Sequence, residues 1–299
     1  MANGVGTVGR QPLLSRIAGR LPLQTLKALL RHRLSVFGLT YIAIAVGVAV
    51  FAGALAWHDP NAINPILALE PPSWAHPLGL DDVGRDVFSR LLYGARVSIQ
   101  VGVMSAGLAV LVGVPLGVVA AYAGGWTDHV IMRIVDAKIA IPNLLLAILL
   151  LLVLGGGVFT VSLALGLNLT STQARLVRSR ALSVKELDYV LAARALGCSP
   201  LRILTLHVLP NAFQPVIVQA TLGMGFAVLG EAGLSFLGIG VTIPTPSWGN
   251  MLNLAFQNME SAPWLSIAPG LAIFLLVLSF NFVGDGLRDV LDPRLRGRV

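Results

Sequence analysis

The sequence predicts an all-α polytopic membrane protein with six transmembrane helices and both termini in the cytosol. Three observations predict it. The mean hydropathy is +0.80 and only 12% of the 299 residues are charged, which lies outside the range of soluble globular chains. The apolar residues fall into uncharged runs long enough to cross a hydrocarbon core of about 30 Å at about 1.5 Å per residue. With the amino terminus inside, 18 of the 21 Lys and Arg lie on the inner side, as the positive-inside rule requires.

Taken in order, the chain opens with a basic cytosolic tail, residues 1–33, holding six Lys or Arg and no acid. Residues 34–57 are uncharged, too long for a signal-peptide core and without a small-residue cleavage site, and read as a retained first span. Residues 58–96 read as an extracytoplasmic loop with five acids and three Arg. Within it Asp82 is expected to cap a short amphipathic helix over 83–93, with Asp86 and Arg90 paired four apart. Residues 97–284 form a five-helix core. Its first helix, over 97–122, ends at Gly124 and Gly125, and the uncharged interval 139–174 is too long for one crossing. Glycines 155–157 split it into spans over 134–154 and 159–173. The second of these carries Asn168, Thr170, Ser171 and Thr172, so it must face protein or water; it either lines a pathway or packs through polar contacts. Spans over 213–236 and 263–283 follow, separated by an ordered Gly- and Pro-rich outer loop over 237–262. Residues 285–299 form a cytosolic tail.

The longest polar interval is the loop 175–211 inside the core. Ser183 and Glu186 stand three apart, as in a capping box, so a helix is expected from about Val184, with Gly197 ending it in a left-handed turn. Ser199 caps a second helix with Pro200 at its first position, ahead of an apolar run over 201–208. The product is a compact helix–turn–helix knob, suited to docking a soluble partner or serving as a solvated connector.

Several chemistries are disfavoured. The net charge of +7 comes from basic residues lying between apolar spans, not interleaved with aromatics, which disfavours nucleic acid as a partner. The single cysteine, Cys198, precludes an internal disulfide, and His32, His58, His76, His129 and His207 are scattered, so no metal site is expected. No phosphate-binding GxxxxGK[ST] loop occurs, nor HExxH, GxSxG or CxxC, so the chain is expected to bind no cofactor and to catalyse nothing itself. Glu231 is the one carboxylate inside the fifth span. Proton coupling is one reading of it, but its place near the span's outer end favours hydrogen bonding to backbone in the following loop. An independent secondary transporter would need paired intramembrane ionisable groups or inverted repeats, and an intramembrane enzyme a paired nucleophile and base; neither is evident.

The segment YVLAARALGCSPLRILTLHVLPN resembles the EAA loop of ABC importer permeases, with Ala192, Ala193, Gly197, Ile203, Leu209 and Pro210 at the matching positions. Leu191 stands where that family has Glu. Further segments, HPLGLDDVGRDVFSRLLYGARVSIQVG, GGWTDHVIMRIVDAKIAIPNLLLAI, GEAGLSFLGIGVTIPTPSWGNML and GDGLRDVLDPRLR, look like the C-type permease of the dipeptide, oligopeptide and nickel importers. Together they cover most of the chain, apart from the region before Leu34 and that around 163–173.

This resemblance implies a type I importer in a bacterial or archaeal cytoplasmic membrane. It implies a heterodimer with a second homologous permease, two cytosolic ATPase subunits that carry ATP and Mg, and an extracytoplasmic substrate-binding protein. The loop would supply the coupling helix, through Tyr189, Leu191, Ala192, Ala193, Arg194, Gly197, Ser199, Pro200, Ile203, Leu209 and Pro210. Asn168, Thr172 and Glu231 are the candidate pathway residues. Peptides are the expected substrates, with glutathione or nickel chelates as alternatives.

Overall fold

The computed structural model of the chain describes residues 29–291; most of the expected amino-terminal tail and residues 292–299 lie outside the described residues. Ten α-helices are distinguished here: α1 Arg33–Leu55, α2 Val87–Ala123, α3 Gly125–Ala140, α4 Asn143–Leu154, α5 Val158–Lys185, α6 Asp188–Ala195, α7 Pro200–Ile203, α8 Leu209–Phe236, α9 Trp248–Gln257 and α10 Ile267–Leu291. Among the described residues the only β-type pairing is an isolated bridge, Leu80 with Asp86.

Four helical segments are long and apolar enough to cross a membrane: α1, α2, the continuous Pro200–Phe236 segment and Pro263–Leu291. The expected third span is not one helix. Pro142 breaks it, and α3 meets α4 at 89°, because proline lacks the N–H that would continue the ladder and disfavours helical geometry in the residue before it. Counted together, this bent pair makes five crossings by length and composition. The remaining expected span, α5, has 28 residues but is too polar to qualify by composition.

Helix α5 does face protein. Ser162, Thr170, Ser171 and Gln173 are buried on it, and its backbone lies close to α2. A Cβ added at Gly113 of α2 would stand 2.8 Å from the Thr170 carbonyl oxygen and from Gln173 Cβ, and one at Gly166 of α5 would stand 2.8 Å from Leu108. Small residues permit this approach, and lipid, as apolar as any side chain, gives helices no hydrophobic reason to associate, so such packing carries the interaction. The hydroxyl of Ser105 donates to the Ser162 carbonyl across the seam at 3.0 Å.

The expected helix over 83–93 is corrected. Asp81, not Asp82, organises the preceding turn: its Oδ1 accepts from the backbone N–H of Val83 and Arg85 at 3.1 and 2.9 Å, with Gly84 at φ +77°. Asp86 then caps α2, accepting from the Ser89 N–H at 2.8 Å. Helix α2 runs unbroken for 37 residues, about 56 Å at 1.5 Å per residue, so it projects beyond a bilayer core. Its first turns are no surface helix, since Val87, Ser89, Arg90 and Leu92 are buried. Arg90 does not pair with Asp86. It donates to the Pro60 carbonyl at 2.9 Å and lies 3.8 Å from Asp81, while Asp86 takes His76 at 2.9 Å. The expected outer loop over 237–262 contains α9, capped by Ser247 through the Asn250 N–H at 3.1 Å. The expected tail from 285 begins as the last turns of α10, which continues to Leu291.

The α2–α5 seam makes a prediction. Gly113→Leu should lower the melting temperature of the detergent-solubilised chain, by about 1–3 kcal/mol of overpacking. Gly107→Ala, where an added Cβ meets nothing within 4 Å, should leave it unchanged or slightly higher. Equal melting temperatures for the Gly113→Leu variant and the parent would refute the seam.

Candidate functional site

The knob is present with altered boundaries. The capping-box expectation is overturned: α5 runs through Ser183, whose hydroxyl donates back to the Ser179 carbonyl at 3.0 Å, the mid-helix alternative to capping. Helix α6 begins at Asp188 instead. Its end matches the expectation. Gly197 has φ +75°, the Cys198 N–H reaches the Ala193 carbonyl at 3.1 Å and the Gly197 N–H reaches that of Arg194 at 3.0 Å. These two bonds form a Schellman turn. Pro200 opens α7 as expected, whereas Ser199 makes no side-chain cap; only its carbonyl takes part, accepting from the Ile203 N–H at 3.0 Å.

The apolar run 201–208 is not a separate helix. It passes through a π-helical segment, Leu204–Val208, directly into α8. A wider turn here accommodates Pro210, which has no N–H to donate. Val190, Ile203 and Val208 are buried against Ala121 of α2 and Ala181 and Val184 of α5, with Ala193 partly buried beside them. Asn211 ties the two arms, donating to Tyr189 Oη at 3.1 Å and to the His207 carbonyl at 2.7 Å. On the outer face Leu191, Ala192, Arg194, Leu196, Ser199, Pro200, Leu201 and Pro210 are exposed, Leu196 to 85% and Leu201 to 69%. Leu209 faces the helices and is partly buried, touching a cluster with Val118, Val177 and Val216. The knob thus has an anchored inner side and an exposed outer side rich in leucine.

Asn168 and Thr172, four apart on α5, are brought together. They line a cleft of about 350 Å³ at the α3–α4 bend with Lys138, Pro142, Asn143 and Arg175. The Nδ2 of Asn168 donates to the Asn143 carbonyl at 3.0 Å. Lys138 was not singled out by the sequence, which set it among inner-loop charges; its position four residues before a proline inside an apolar interval was the available signal. Arg175 pairs with Asp136, and Arg178 with Asp128 through two parallel contacts, joining α3 to α5.

Glu231 does not join this cleft. It is fully buried on α8 and accepts from the Ser235 hydroxyl at 2.8 Å. Ser235 Oγ in turn accepts from the Val241 N–H at 3.0 Å, so the carboxylate reaches the following loop through a hydroxyl, not directly. The Oε2 atom has no hydrogen-bond partner. The second unanticipated cluster, His58, His76 and Asp86, gathers potential ligand atoms within 4.8 Å of one another, although the sequence had scattered its histidines.

A helical bundle with a bent span, a polar cleft beside it and an anchored knob at one end is the build of a membrane-embedded transport subunit. The comparisons make this specific. The chain belongs to the family described as binding-protein-dependent transport system inner membrane component, whose model matches residues 113–297, and residues 23–72 match the N-terminal TM domain of oligopeptide transport permease C. It is thus a multi-pass inner-membrane protein of the ABC importer permeases, a family of transport subunits and not of enzymes.

Among relatives, the dipeptide transport system permease protein DppC of Alkalihalophilus pseudofirmus is 42% identical, covering 91% of this chain and 90% of that one. The oligopeptide transport system permease protein OppC of Bacillus subtilis is 42% identical, covering 90% and 89%. The glutathione transport system permease protein GsiD of Pectobacterium atrosepticum is 41% identical, covering 89% of each. In fold, the chain is similar to one from inward-facing MetNI methionine ABC transporter structures, with TM-score 0.56, 20% identity, and coverage of 67% of this chain and 96% of that one.

The buried carboxylate gives the second prediction. Glu231→Gln keeps an oxygen acceptor for Ser235 and should support transport at parental rates, whereas Glu231→Ala should cost about 1–3 kcal/mol of stability by orphaning polar partners. Abolished uptake in the Gln variant, with normal insertion, would instead establish a protonation role.

Proposed function

We propose that the chain is a permease subunit of an ATP-driven peptide importer, forming half of a translocation pathway with a second, homologous permease. In this reading it has six crossings and cytosolic termini, with α5 as the polar crossing shielded by its neighbours. The names of its relatives support peptides as substrates, glutathione among them. ATP and Mg belong to two partner ATPases, and a binding protein delivers substrate from the opposite side.

One observation carries the coupling role: the knob is continuous with a span. Segment α7 enters α8 without a loop, and the Schellman turn fixes α6 against it. Force applied to exposed Leu191, Leu196 and Leu201 would therefore move α8 instead of being absorbed, as a switch between two pathway conformations requires. The outer face, exposed leucines interspersed with Asp188, Arg194 and Arg202, suits a cleft in a soluble partner.

Gly197 tests this. An added Cβ meets nothing within 4 Å there, so the cost of substitution is the left-handed backbone, about 1–2 kcal/mol. Gly197→Val should uncouple hydrolysis from transport in the reconstituted importer while the chain still inserts, and Gly197→Asn, tolerant of positive φ, should retain coupling. Unchanged substrate-stimulated hydrolysis and uptake in the Val variant would defeat the proposal. Leu191 is 39% exposed, so Leu191→Glu should leave the fold intact and keep or tighten ATPase association, measured by co-purification. Loss of assembly would show that the knob docks otherwise.

A further inference from the structure

Resting on the importer reading above, we propose that Lys138 is the cationic anchor of a substrate site in the pathway, which takes the carboxylate of a peptide's C-terminal unit. Its Nζ donates to the Asn168 carbonyl at 2.9 Å and to Asn143 Oδ1 at 3.2 Å. No carboxylate lies within ion-pair distance of it among the described residues, whereas Arg175 and Arg178 beside it are paired with Asp136 and Asp128. Of the two cations that line the cleft, Lys138 and Arg175, only the lysine lacks a carboxylate partner among the described residues.

Its depth gives this weight. Asn168 comes ten residues after α5 begins and Asn143 eleven before α4 ends. At 1.5 Å per residue both lie about 15–17 Å from the turn that joins α4 to α5, which is mid-depth in a core of about 30 Å when that turn sits at its edge, as the six-crossing reading has it. An ammonium without an acid at that depth must meet water or a ligand. Here it meets a cleft of about 350 Å³, within the range of small-molecule sites, about 300–1,000 Å³.

The neighbour that holds the lysine is itself incompletely satisfied. Asn168 is 8% exposed, and while its Nδ2 is bonded, its Oδ1 is buried with no hydrogen-bond partner. Buried polar atoms are rarely left so without a reason. An ammonium in a cleft wall shared with the amides of Asn143 and Asn168 and the hydroxyl-bearing Thr172 matches a carboxylate beside a peptide bond. The groups facing the ammonium are Asn143 and Asn168, with the Arg175–Asp136 pair at the margin, so the net local charge favours an anion.

The test uses the complete importer with its partner subunits and binding protein in proteoliposomes. Labelled dialanine, trialanine and glutathione are the carboxylate probes and nickel chloride the comparator. Lys138→Met should lower uptake of the imported carboxylate probe by about tenfold or more, the loss expected of a charge-assisted contact in the passage. Stimulated hydrolysis should persist in that variant, and Lys138→Arg should retain most uptake. Asn143→Asp separates the two roles the lysine can have. If the ammonium serves substrate, an internal carboxylate beside it competes and uptake falls; if it serves only to brace the α3–α4 bend, the stronger contact leaves uptake intact, and the proposal fails. It fails also if Lys138→Met transports normally, if Lys138→Arg fails with it, or if the parent importer moves only nickel. A parent complex with no stimulated hydrolysis for any probe would overturn the importer reading and this site with it.

Discussion

Close contact between α2 and α5 is the constraint on which the other features depend. A helix bearing Ser162, Asn168, Thr170, Ser171 and Gln173 is unfavourable in lipid and must be enclosed. Glycines at 113, 117 and 166 let the two backbones approach until enclosure is possible. Once α5 is held there, one of its faces is left for the α3–α4 bend, where Asn168 and Thr172 meet Lys138. Its far end supplies Ala181 and Val184 to the floor on which the knob sits. Cleft and knob are therefore two regions of one helix, about 20 Å apart along it by residue count.

That geometry bears on how a knob at one end of the bundle affects a cleft in its interior. Val190 of α6, Ile203 of α7 and Val208 are locked to α2 and α5 by burial, so a displacement of the knob loads the same helices that carry the cleft. The π-helical segment lets α7 continue into α8 despite Pro210. Without it the chain would kink or break before the span. A packed interface of this kind moves between discrete arrangements instead of deforming continuously.

Much of the architecture was legible in the sequence because membrane helices announce themselves by length and apolarity, and turns by glycine. Gly197, the residue most at ease at φ +75°, and Pro200 at a helix start were readable from local chemistry alone. The capping misreadings share one cause. Ser183 and Asp82 carry genuine capping chemistry, but a local signal does not reveal whether a helix already passes through the position. Ser183 lies within α5, and Asp82 lies in a turn that Asp81 and Gly84 already close. The 89° bend was likewise hidden: Pro142 marked a break, but whether a proline kinks a span or ends it depends on what packs against the freed backbone. Lys138 was lost for a different reason, since counting charges by loop assigns each lysine a side but never a depth.

Charge placement in the α3–α5 region then separates scaffold from function. Asp128 with Arg178 and Asp136 with Arg175 are ion pairs between helices, the second of them half exposed. Helix α3 brings two acids and two cations, Arg133 and Lys138, with His129 apart, and two of the three Arg of α5 use both acids. If all cations served to fasten the helices, the one at the α3–α4 bend would be expected to have a carboxylate partner as the two arginines do. It has none. Instead it is held by two neutral oxygens, a weaker arrangement that leaves its charge uncompensated and directed at open volume. Permanent pairing at that point would close the cleft to an anion; leaving the lysine unpaired keeps the cost of its burial available to be relieved by whatever anionic group passes.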